Sequence, residues 1–130
     1  MASKYNLEEL NVSRETEKTL NEYVCILVKW NKAINLISSE SLNNIWERHV
    51  IDSAQLSSFL SFDKKIWVDL GSGAGFPGLV IAVIAQEKFP SLKVVLIESD
   101  RRKCVFLREV ARKLNLNVEV ICDRIEDCSS

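Results

Sequence analysis

Apolar and polar residues follow two different patterns along this chain, one before residue 62 and one after it. In the first part, apolar residues recur three and four positions apart, which is the spacing of one face of a helix. From residue 66 onward, short apolar runs alternate with helical patterns, which is typical of strands joined by helices. We therefore predict an α/β protein with a helical region at residues 1–62 and a strand–helix region at residues 63–130, packed as one compact unit.

The helical region is predicted to contain one long helix and two short ones. Ser13 is a good N-cap for the long helix, which we predict over residues 14–34. The short helices are predicted at residues 41–48 and 50–59. The apolar face of the long helix is wider than a single stripe, so we expect it to contact more than one neighbour.

Three strands and two helices are predicted in the second region. In chain order they are a strand at 66–70, a helix that includes the apolar stretch 79–85 and is ended by residues 89–91, a strand at 93–98, a helix at 101–114 and a strand at 117–121. The first of these helices is apolar nearly all round, so it should be buried between the sheet and the N-terminal helices. Asn115 suits the position just after the end of the second helix.

All four glycines lie between residues 71 and 78, directly after the first strand. Glycine accepts positive φ and has no Cβ, so such a turn can bring backbone N–H groups against a ligand. Gly73-x-Gly75-x-x-Gly78 matches the dinucleotide pattern literally. However, Gly71 is the glycine that closes the strand, and counting from Gly71 puts Phe76 where the third glycine belongs. The register therefore argues against a dinucleotide site.

Carboxylates end the first two strands and indicate the kind of ligand. Asp69 would repel a pyrophosphate but attract an ammonium or sulfonium group, which favours S-adenosylmethionine over NAD. Glu98 suits the two ribose hydroxyls of an adenosine, which both cofactors carry. After the third strand, Ile125 could cover an adenine face while Glu126 lies near its edge. A glycine-rich turn without any ligand is the remaining alternative.

Composition narrows the class without naming the function. The chain has 130 residues, of which 47% are hydrophobic and 27% charged, as in an ordinary globular domain. Its formal net charge of −1 gives no global positive field, so any RNA contact must come from a local basic patch. We expect the basic residues at 101–103 mainly to keep their helix face solvated, and an RNA contact there is the alternative. The N-terminus lacks the apolar core of a signal peptide, and no apolar run approaches the ~18–20 residues of a membrane span. We therefore expect a cytoplasmic protein with no membrane contact.

The cysteines and the single histidine do not indicate a metal site. No two cysteines form a C-x-x-C pair, so we expect buried reduced thiols and no metal at Cys25, Cys104, Cys122 and Cys128. The only histidine, His49, lies in a segment that mixes ionisable and apolar residues. We expect Arg48, His49 and Asp52 to form a polar network between the helices and the cofactor pocket rather than a catalytic group.

Five segments together resemble the RsmG family, also called glucose-inhibited division protein B. They are residues 30–36, 47–53, 69–78, 98–107 and 123–126, and the most specific are the glycine segment and the Arg-His-x-x-Asp-Ser element. The resemblance spans residues from about 20 to the end of the chain. It implies a partial Rossmann-like class I methyltransferase fold with strand order 3-2-1. It also implies an S-adenosylmethionine-dependent bacterial enzyme that methylates N7 of a guanine in 16S ribosomal RNA of the small ribosomal subunit.

The same resemblance implies roles for individual residues. Gly71 and Phe76 line the path of the methionine and adenosine parts, with Gly73 in the same turn, while Glu98, Ser99 and Asp100 contact the ribose side, and Ile125 and Glu126 border the adenine. No metal, covalent intermediate or general base is expected, because guanine N7 has an in-plane lone pair and no proton to remove. Catalysis would then come mainly from positioning.

The family continues beyond the length of this chain with further strands and an arginine-containing segment. We therefore expect a C-terminally truncated chain that is weakly active or inactive alone. Truncation would leave the strand at 66–70 as an exposed apolar edge, without the lysine, proline or bulge that usually protects one. Two such edges could pair about a two-fold axis, which predicts a homodimer. An NAD-binding half-domain and a non-catalytic association module remain the alternatives.

Overall fold

The computed structural model describes residues 12–71 and 73–123, apart from the side chain of Arg48. In chain order the elements are α1 (Arg14–Asn31), α2 (Ser39–Asn43), a π-helical turn (Trp46–Ile51), α3 (Asp52–Gln55), a 3-10 turn (Leu56–Phe59), β1 (Ile66–Leu70), α4 (Gly78–Lys88), β2 (Lys93–Glu98), α5 (Arg101–Lys113) and β3 (Val118–Cys122). The predicted site residues Ile125 and Glu126 and the fourth cysteine, Cys128, lie outside the described residues.

The three strands form one parallel sheet in the order β1-β2-β3, with β2 in the middle. Ile66 of β1 is opposite Lys93 of β2, and Val94 of β2 is opposite Val118 of β3. This arrangement confirms the α/β class and the 3-2-1 strand order. The division at residue 62 stays a prediction, because the helices before it and the sheet after it share one hydrophobic core.

One face of the sheet is covered by α4 and α5, and α1 packs on the outer side of both helices. Opposite residues of paired strands point to the same face, which places Asp69, Leu96 and Val120 under the helices. Leu96 is fully buried and Asp69 is 9% exposed. The covered face therefore contains both the apolar core and a buried carboxylate.

The opposite face of the sheet is open among the described residues. Ile66, Val68 and Leu70 of β1 are 60%, 52% and 56% exposed. A parallel sheet is normally covered on both faces, and the unbroken apolar run of β1 fits such an environment. At the far end of the same face, Lys93 and Glu119 form an ion pair at 2.5 Å.

α1 begins where the sequence predicts and ends three residues early. The Ser13 side chain accepts a hydrogen bond from the backbone N–H of Thr16 at 3.2 Å, as an N-cap does. The helix was predicted to continue to residue 34. It ends at Asn31 because the Asn31 side-chain oxygen accepts hydrogen bonds from the N–H groups of Leu36 (2.8 Å) and Ile37 (3.0 Å), which turns the chain back.

The segment between α1 and the sheet differs more from its prediction. Instead of two α-helices at 41–48 and 50–59, it contains short α-helical pieces, a π-helical turn and a 3-10 turn. The Ser38 side chain caps α2 at Ser39, two residues earlier than predicted. Trp46, Val50 and Ala54 are all buried. Packing of this four-residue repeat against the core overrides the uniform helices that local propensity favours.

α4 and α5 agree closely with their predictions. Every residue of α4 from Gly78 to Ala85 is buried, as expected for a helix between the sheet and the N-terminal helices. α5 is capped by Asp100, whose side chain accepts from the N–H groups at 102 and 103. Asn115 has a positive φ of 55° and lies just beyond the helix, which confirms its predicted place.

Candidate cofactor site

The site lies at the carboxyl edge of the sheet, where β1 and β2 end. Gly71 follows β1 directly, and its N–H donates to the carbonyl of Ile97 at 2.8 Å, which continues the ladder between the two strands by one residue. Beyond Gly71 the chain leaves the sheet and returns at the start of α4. In open α/β folds, ligands bind in the crevice at this edge.

Glu98, the last residue of β2, ties the glycine-rich turn to the loop before α5. Its Oε1 accepts from the N–H of Gly73 at 2.7 Å and its Oε2 accepts from the N–H of Asp100 at 2.9 Å. The side chain is only 7% exposed. Because each carboxylate oxygen has two lone pairs, both oxygens retain capacity for a ligand hydroxyl. Glu98 can therefore hold the turn and accept from a ribose at the same time.

Gly71 and Gly73 border open space. Both have positive φ, 70° and 54°, and a Cβ added at either would meet no other atom within 4 Å. A side chain there would project into the crevice instead of into the protein. Two bare backbone segments beside a buried carboxylate form a cradle that fits an adenosine-containing cofactor, so the residues present suit the group that the sequence predicts.

Gly75 and Gly78, in contrast, border packed atoms. A Cβ at Gly75 would collide with the Leu79 side chain and lie 2.8 Å from the Tyr23 hydroxyl. A Cβ at Gly78 would collide with Leu96 and lie 2.7 Å from Asp69 Oδ2. Close packing of helix against strand is also the role of the third glycine in dinucleotide sites, so the packing at Gly78 does not separate the two cofactors.

Asp69 holds the start of α4. Its Oδ2 accepts from the N–H of Gly78 at 3.0 Å, in a buried position on the covered face of the sheet. A carboxylate at a helix N-terminus is favourable because the first N–H groups have no partner within the helix. The predicted attraction between Asp69 and a cationic ligand stays a prediction.

Three aromatic rings support the turn from behind. Phe76 packs against Tyr23 of α1, with ring centroids 5.5 Å apart, and against His49 of the π-helical turn, with centroids 4.8 Å apart and planes at 24°. The Tyr23 hydroxyl donates to the carbonyl of Ala74 at 2.5 Å. Burial raises the pKa of Tyr23 well above its ordinary value, and the charge of Asp69 adds to this, so the hydroxyl keeps its proton.

The structure gives Phe76 and His49 packing partners that the sequence did not indicate. Phe76 was predicted to line the cofactor path, and its half-buried ring is fixed between two others. His49 stacks on that ring, while Asp52 is exposed. The predicted polar network of Arg48, His49 and Asp52 stays a prediction.

Ser99 and Asp100 lie beside Glu98, in the loop that leads into α5. Ser99 is exposed, and Asp100 uses its carboxylate as the helix cap. The backbone N–H of Lys103, and then that of Arg102, lower the pKa of Asp100 from its ordinary value. Asp100 is thus held ionised at the rim of the site, with its backbone N–H bonded to Glu98.

The link between α1 and the turn is the functional contact that the sequence did not reveal. Tyr23 follows the helical spacing of a core residue, and its partner Ala74 is 51 residues away. No local pattern could indicate that its hydroxyl reaches a carbonyl of the turn. Cys104 also contacts the site, since its thiol donates to the Glu98 carbonyl at 3.2 Å.

The three described cysteines differ in exposure, since Cys104 is buried, Cys122 is half-buried and Cys25 is exposed. Cys104 is buried as predicted, and burial, followed by a hydrogen bond with Cys122, raises its pKa to about 12. Cys25 contradicts the prediction of buried thiols, because it is exposed on the outer side of α1. The error arose because Cys25 lies beside the core residues Val24 and Leu27 in a helix whose apolar face was read too widely.

Comparison with known proteins identifies the family. The chain matches the family described as GidB, rRNA small subunit methyltransferase G, over residues 16–130. The chain belongs to this family. The GidB match confirms the resemblance and fits the partial methyltransferase fold of the sheet.

Curated relatives named ribosomal RNA small subunit methyltransferase G support the same assignment. A protein from Cereibacter sphaeroides is 49% identical over 120 residues, which are 92% of this chain and 58% of that protein. One from Jannaschia is 50% identical over 89% of this chain and 55% of its own length. One from Parvibaculum lavamentivorans is 52% identical, with shares of 89% and 51%. The chain thus spans little more than half the length of the GidB relatives it matches.

The described residues contain neither a candidate metal cluster nor a candidate membrane-spanning helix. Among residues 12–71 and 73–123, no group of three or more histidine, cysteine, aspartate or glutamate side chains is placed to hold a metal ion. In the same part of the chain, no helix has both the length and the apolarity needed to cross a membrane.

Proposed function

We propose that this chain binds S-adenosylmethionine at the glycine-rich turn and takes part in methylating N7 of a guanine in 16S ribosomal RNA. The observation that carries the proposal is the cradle at the carboxyl edge of the sheet. There, open space at Gly71 and Gly73 lies beside the buried carboxylate of Glu98. Family membership supports the methyltransferase class, and the relatives' names supply the ribosomal RNA substrate.

Each part of the chain has a defined task in this proposal. The bound cofactor supplies an electrophilic methyl group on its sulfonium. Glu98 accepts from the ribose hydroxyls while it holds the turn, and the bare backbone at Gly71 lets the ligand approach the end of β1. The side chains at Ser99 and Asp100 lie at the rim of the same crevice.

The reaction needs no proton transfer before attack, because guanine N7 already presents a lone pair. The protein therefore acts mainly by aligning the base and the methyl group, which can account for a large part of the rate enhancement. No general base is assigned to any residue. The predicted adenine contacts at Ile125 and Glu126 are part of this proposal, as is a cytoplasmic location with the ribosomal substrate.

Methyl transfer to undermethylated small ribosomal subunits tests the function. Subunits from a strain that lacks this modification would be incubated with the chain and tritium-labelled S-adenosylmethionine, and nucleosides from the RNA would then be analysed. Label in 7-methylguanosine supports the proposal, whereas label in another nucleoside contradicts it. We expect little or no transfer by the 130 residues alone, because the described sheet has one uncovered face and ends at β1.

NAD binding is the second candidate function, and the literal match to the dinucleotide pattern is the observation that favours it. The dinucleotide pattern at Gly73, Gly75 and Gly78 is complete, although Gly71 closes the strand. Direct titration with both cofactors separates the two candidates. A chain that binds neither would support the third alternative, a non-catalytic association module.

Pairing of two chains through β1 stays a prediction. β1 is an edge strand of the described sheet, and its outward side chains Ile66, Val68 and Leu70 are apolar and exposed. Sedimentation at micromolar concentration tests the prediction. A dimer that Val68→Pro converts to monomer supports it, and a well-folded monomeric native chain contradicts it.

A further inference from the structure

We propose that a groove between α1 and α5 binds the phosphate backbone of RNA, at a surface separate from the cofactor cradle. The groove consists of two adjoining cavities of about 310 and 490 Å³, which share Cys25, Ile26 and Lys113. The inference that the bound polyanion is RNA rests on the proposed function. The location of the binding surface rests on the groove itself.

The charge of the groove is unbalanced. Four lysines and one glutamate line the two cavities, namely Lys18, Lys29, Lys32, Lys113 and Glu22. The groove thus carries an excess of three positive charges, four lysines against one glutamate, although the whole chain has a formal charge of −1. A cluster of ammonium groups in one concave surface attracts phosphate even when the net charge of a protein is negative.

These lysines also lack acidic partners where other exposed basic residues have them. Lys93 is paired with Glu119, and Arg112 with Glu109. Across the part of the chain that the structure describes, the groove lysines form no such ion pair. Their ammonium groups are therefore not held in ion pairs and are available to a ligand, and Glu22 is the one described acidic side chain that lines the groove.

The arrangement fits an extended polyanion better than a single phosphate. Lys18, Cys25, Lys29 and Lys32 are spaced by seven, four and three residues, so they follow one stripe of α1. From Lys18 to Lys32 the stripe is about 21 Å long, at 1.5 Å per residue. A line of ammonium groups of that length can contact several successive phosphates of one strand.

The floor of the groove is apolar, which suits long lysine side chains. Ile26, Trp30 and Leu114 line it, and the Trp30 ring is fixed edge-on against Phe106 of α5, with centroids 5.7 Å apart. Lysine stems can lie along such a surface while their ammonium groups point outward. The rigid floor therefore holds α1 and the end of α5, with their lysines, at a fixed separation.

RNA binding by the 130-residue chain tests the inference directly. The probe is a fluorescein-labelled single-stranded RNA of about 12 nucleotides, and anisotropy gives the affinity at several salt concentrations. The test variant is Lys29→Gln with Lys113→Gln. The matched control is Lys64→Gln with Lys65→Gln, which removes the same charge from two exposed lysines before β1.

We expect the test variant to lose affinity about tenfold or more at low salt, while the control stays within about twofold. The slope of log affinity against log salt should fall by about 1.4 in the test variant, because each lost phosphate contact on a single strand lowers it by about 0.7. Equal losses in both variants would show a general charge effect and overturn the inference. No loss in the test variant would overturn it as well.

Titration of the same variants with S-adenosylhomocysteine separates this inference from the proposed function. Unchanged cofactor binding with weakened RNA binding supports the groove. If the native chain binds RNA through the groove but binds no S-adenosylhomocysteine, the groove stands and the proposed function fails. If the chain binds the cofactor and both lysine variants bind RNA as well as the native chain, the groove fails and the proposed function stands.

Discussion

The two halves of the glycine-rich turn have different surroundings. Gly71 and Gly73 border open space, whereas Gly75 and Gly78 border the side chains of the core. The same residue type is thus needed for two reasons. In the first half, the absence of a side chain leaves room for a ligand, and in the second half it lets α4 start close to the sheet.

This difference explains why a literal motif match is weak evidence for one cofactor. Gly78 matches the dinucleotide pattern because α4 packs closely on Leu96 and Asp69. The fold needs this packing whichever cofactor it binds. The ligand-facing information lies at Gly71, Gly73 and Glu98. Substitutions in the first half should therefore mainly lower cofactor affinity, and substitutions in the second half should mainly lower the stability of the fold.

Gly78→Ala should have the largest effect on stability. The added Cβ would collide with Leu96 and crowd Asp69 Oδ2, so the buried hydrogen bond from residue 78 would be strained or lost. Overpacking and a weakened charged hydrogen bond together should lower the free energy of unfolding by about 3 kcal/mol or more. Urea denaturation followed by circular dichroism measures the change.

Gly73→Ala is the matched control for Gly78→Ala. Its Cβ would meet no atom within 4 Å, so the cost is limited to the positive φ of 54°, about 1 kcal/mol. Equal destabilisation by the two substitutions would contradict the division of the turn into a ligand-facing and a packed half.

Gly71→Val should instead act on the ligand. Its side chain would enter the open space at the end of β1, at a backbone φ of 70° that a branched residue tolerates poorly. We expect S-adenosylhomocysteine affinity to fall more than tenfold, with a loss of stability of about 1–2 kcal/mol from the backbone. A variant that binds the ligand as tightly as the native chain would show that the ligand does not pass Gly71.

Tyr23→Phe should weaken the support behind the turn. It removes the hydrogen bond to the Ala74 carbonyl and keeps the ring against Phe76, so it should cost about 1 kcal/mol of stability and lower cofactor affinity severalfold. Thr19→Ala in the same helix loses only an exposed hydrogen bond to Glu15. Thermal melts and cofactor titrations of both variants measure the two effects. A larger effect of Thr19→Ala than of Tyr23→Phe would contradict the prediction.

Glu87→Gln should have the smallest effect, because it acts at the end of α1 that is far from the turn. Glu87 accepts from Thr16 Oγ1 and from the N–H of Ser13, and these contacts lower its pKa, with the Thr16 bond as the main cause. Because the pKa is lowered in the folded state, the contact stabilises the protein fully at pH values above the ordinary pKa of 4.5. This stabilisation is lost as the pH falls through the lowered pKa.

Urea midpoints of Glu87→Gln and the native chain between pH 7 and pH 3 check this sign. The small difference between the two proteins should be present near neutral pH and disappear in acid. Cofactor affinity at neutral pH should be unchanged. A difference that grows as pH falls would contradict the assigned cause.

The sequence predicted those parts of the fold that depend on local patterns. Strand limits and the place of Asn115 just after α5 follow from neighbours in the chain, and the structure confirms them within about one residue. The segment at 41–59 was predicted wrongly because its short helical pieces are set by packing against the core. Contacts between residues far apart in the sequence determine where these pieces begin and end, and local helix propensity does not contain that information.

The candidate site shows the same division. Gly71, Gly73 and Glu98 were found from their positions at strand ends, and the structure brings Gly73 and Glu98 within hydrogen-bond distance. The role of Tyr23 was missed because it depends on how α1 crosses α4. The assignment of these residues to a cofactor stays a prediction until a ligand is measured.

Calorimetric titration of the 130-residue chain with S-adenosylhomocysteine and with NADH tests the central claim most directly. The position of Gly71 at the end of β1 and the carboxylate of Asp69 predict that S-adenosylhomocysteine binds more tightly than NADH, by about tenfold or more. Glu98→Gln should weaken that binding, because it removes the negative charge that the ribose hydroxyls and the N–H of Gly73 share. Tighter binding of NADH, or binding of S-adenosylhomocysteine that Glu98→Gln leaves unchanged, would contradict the assignment of the site.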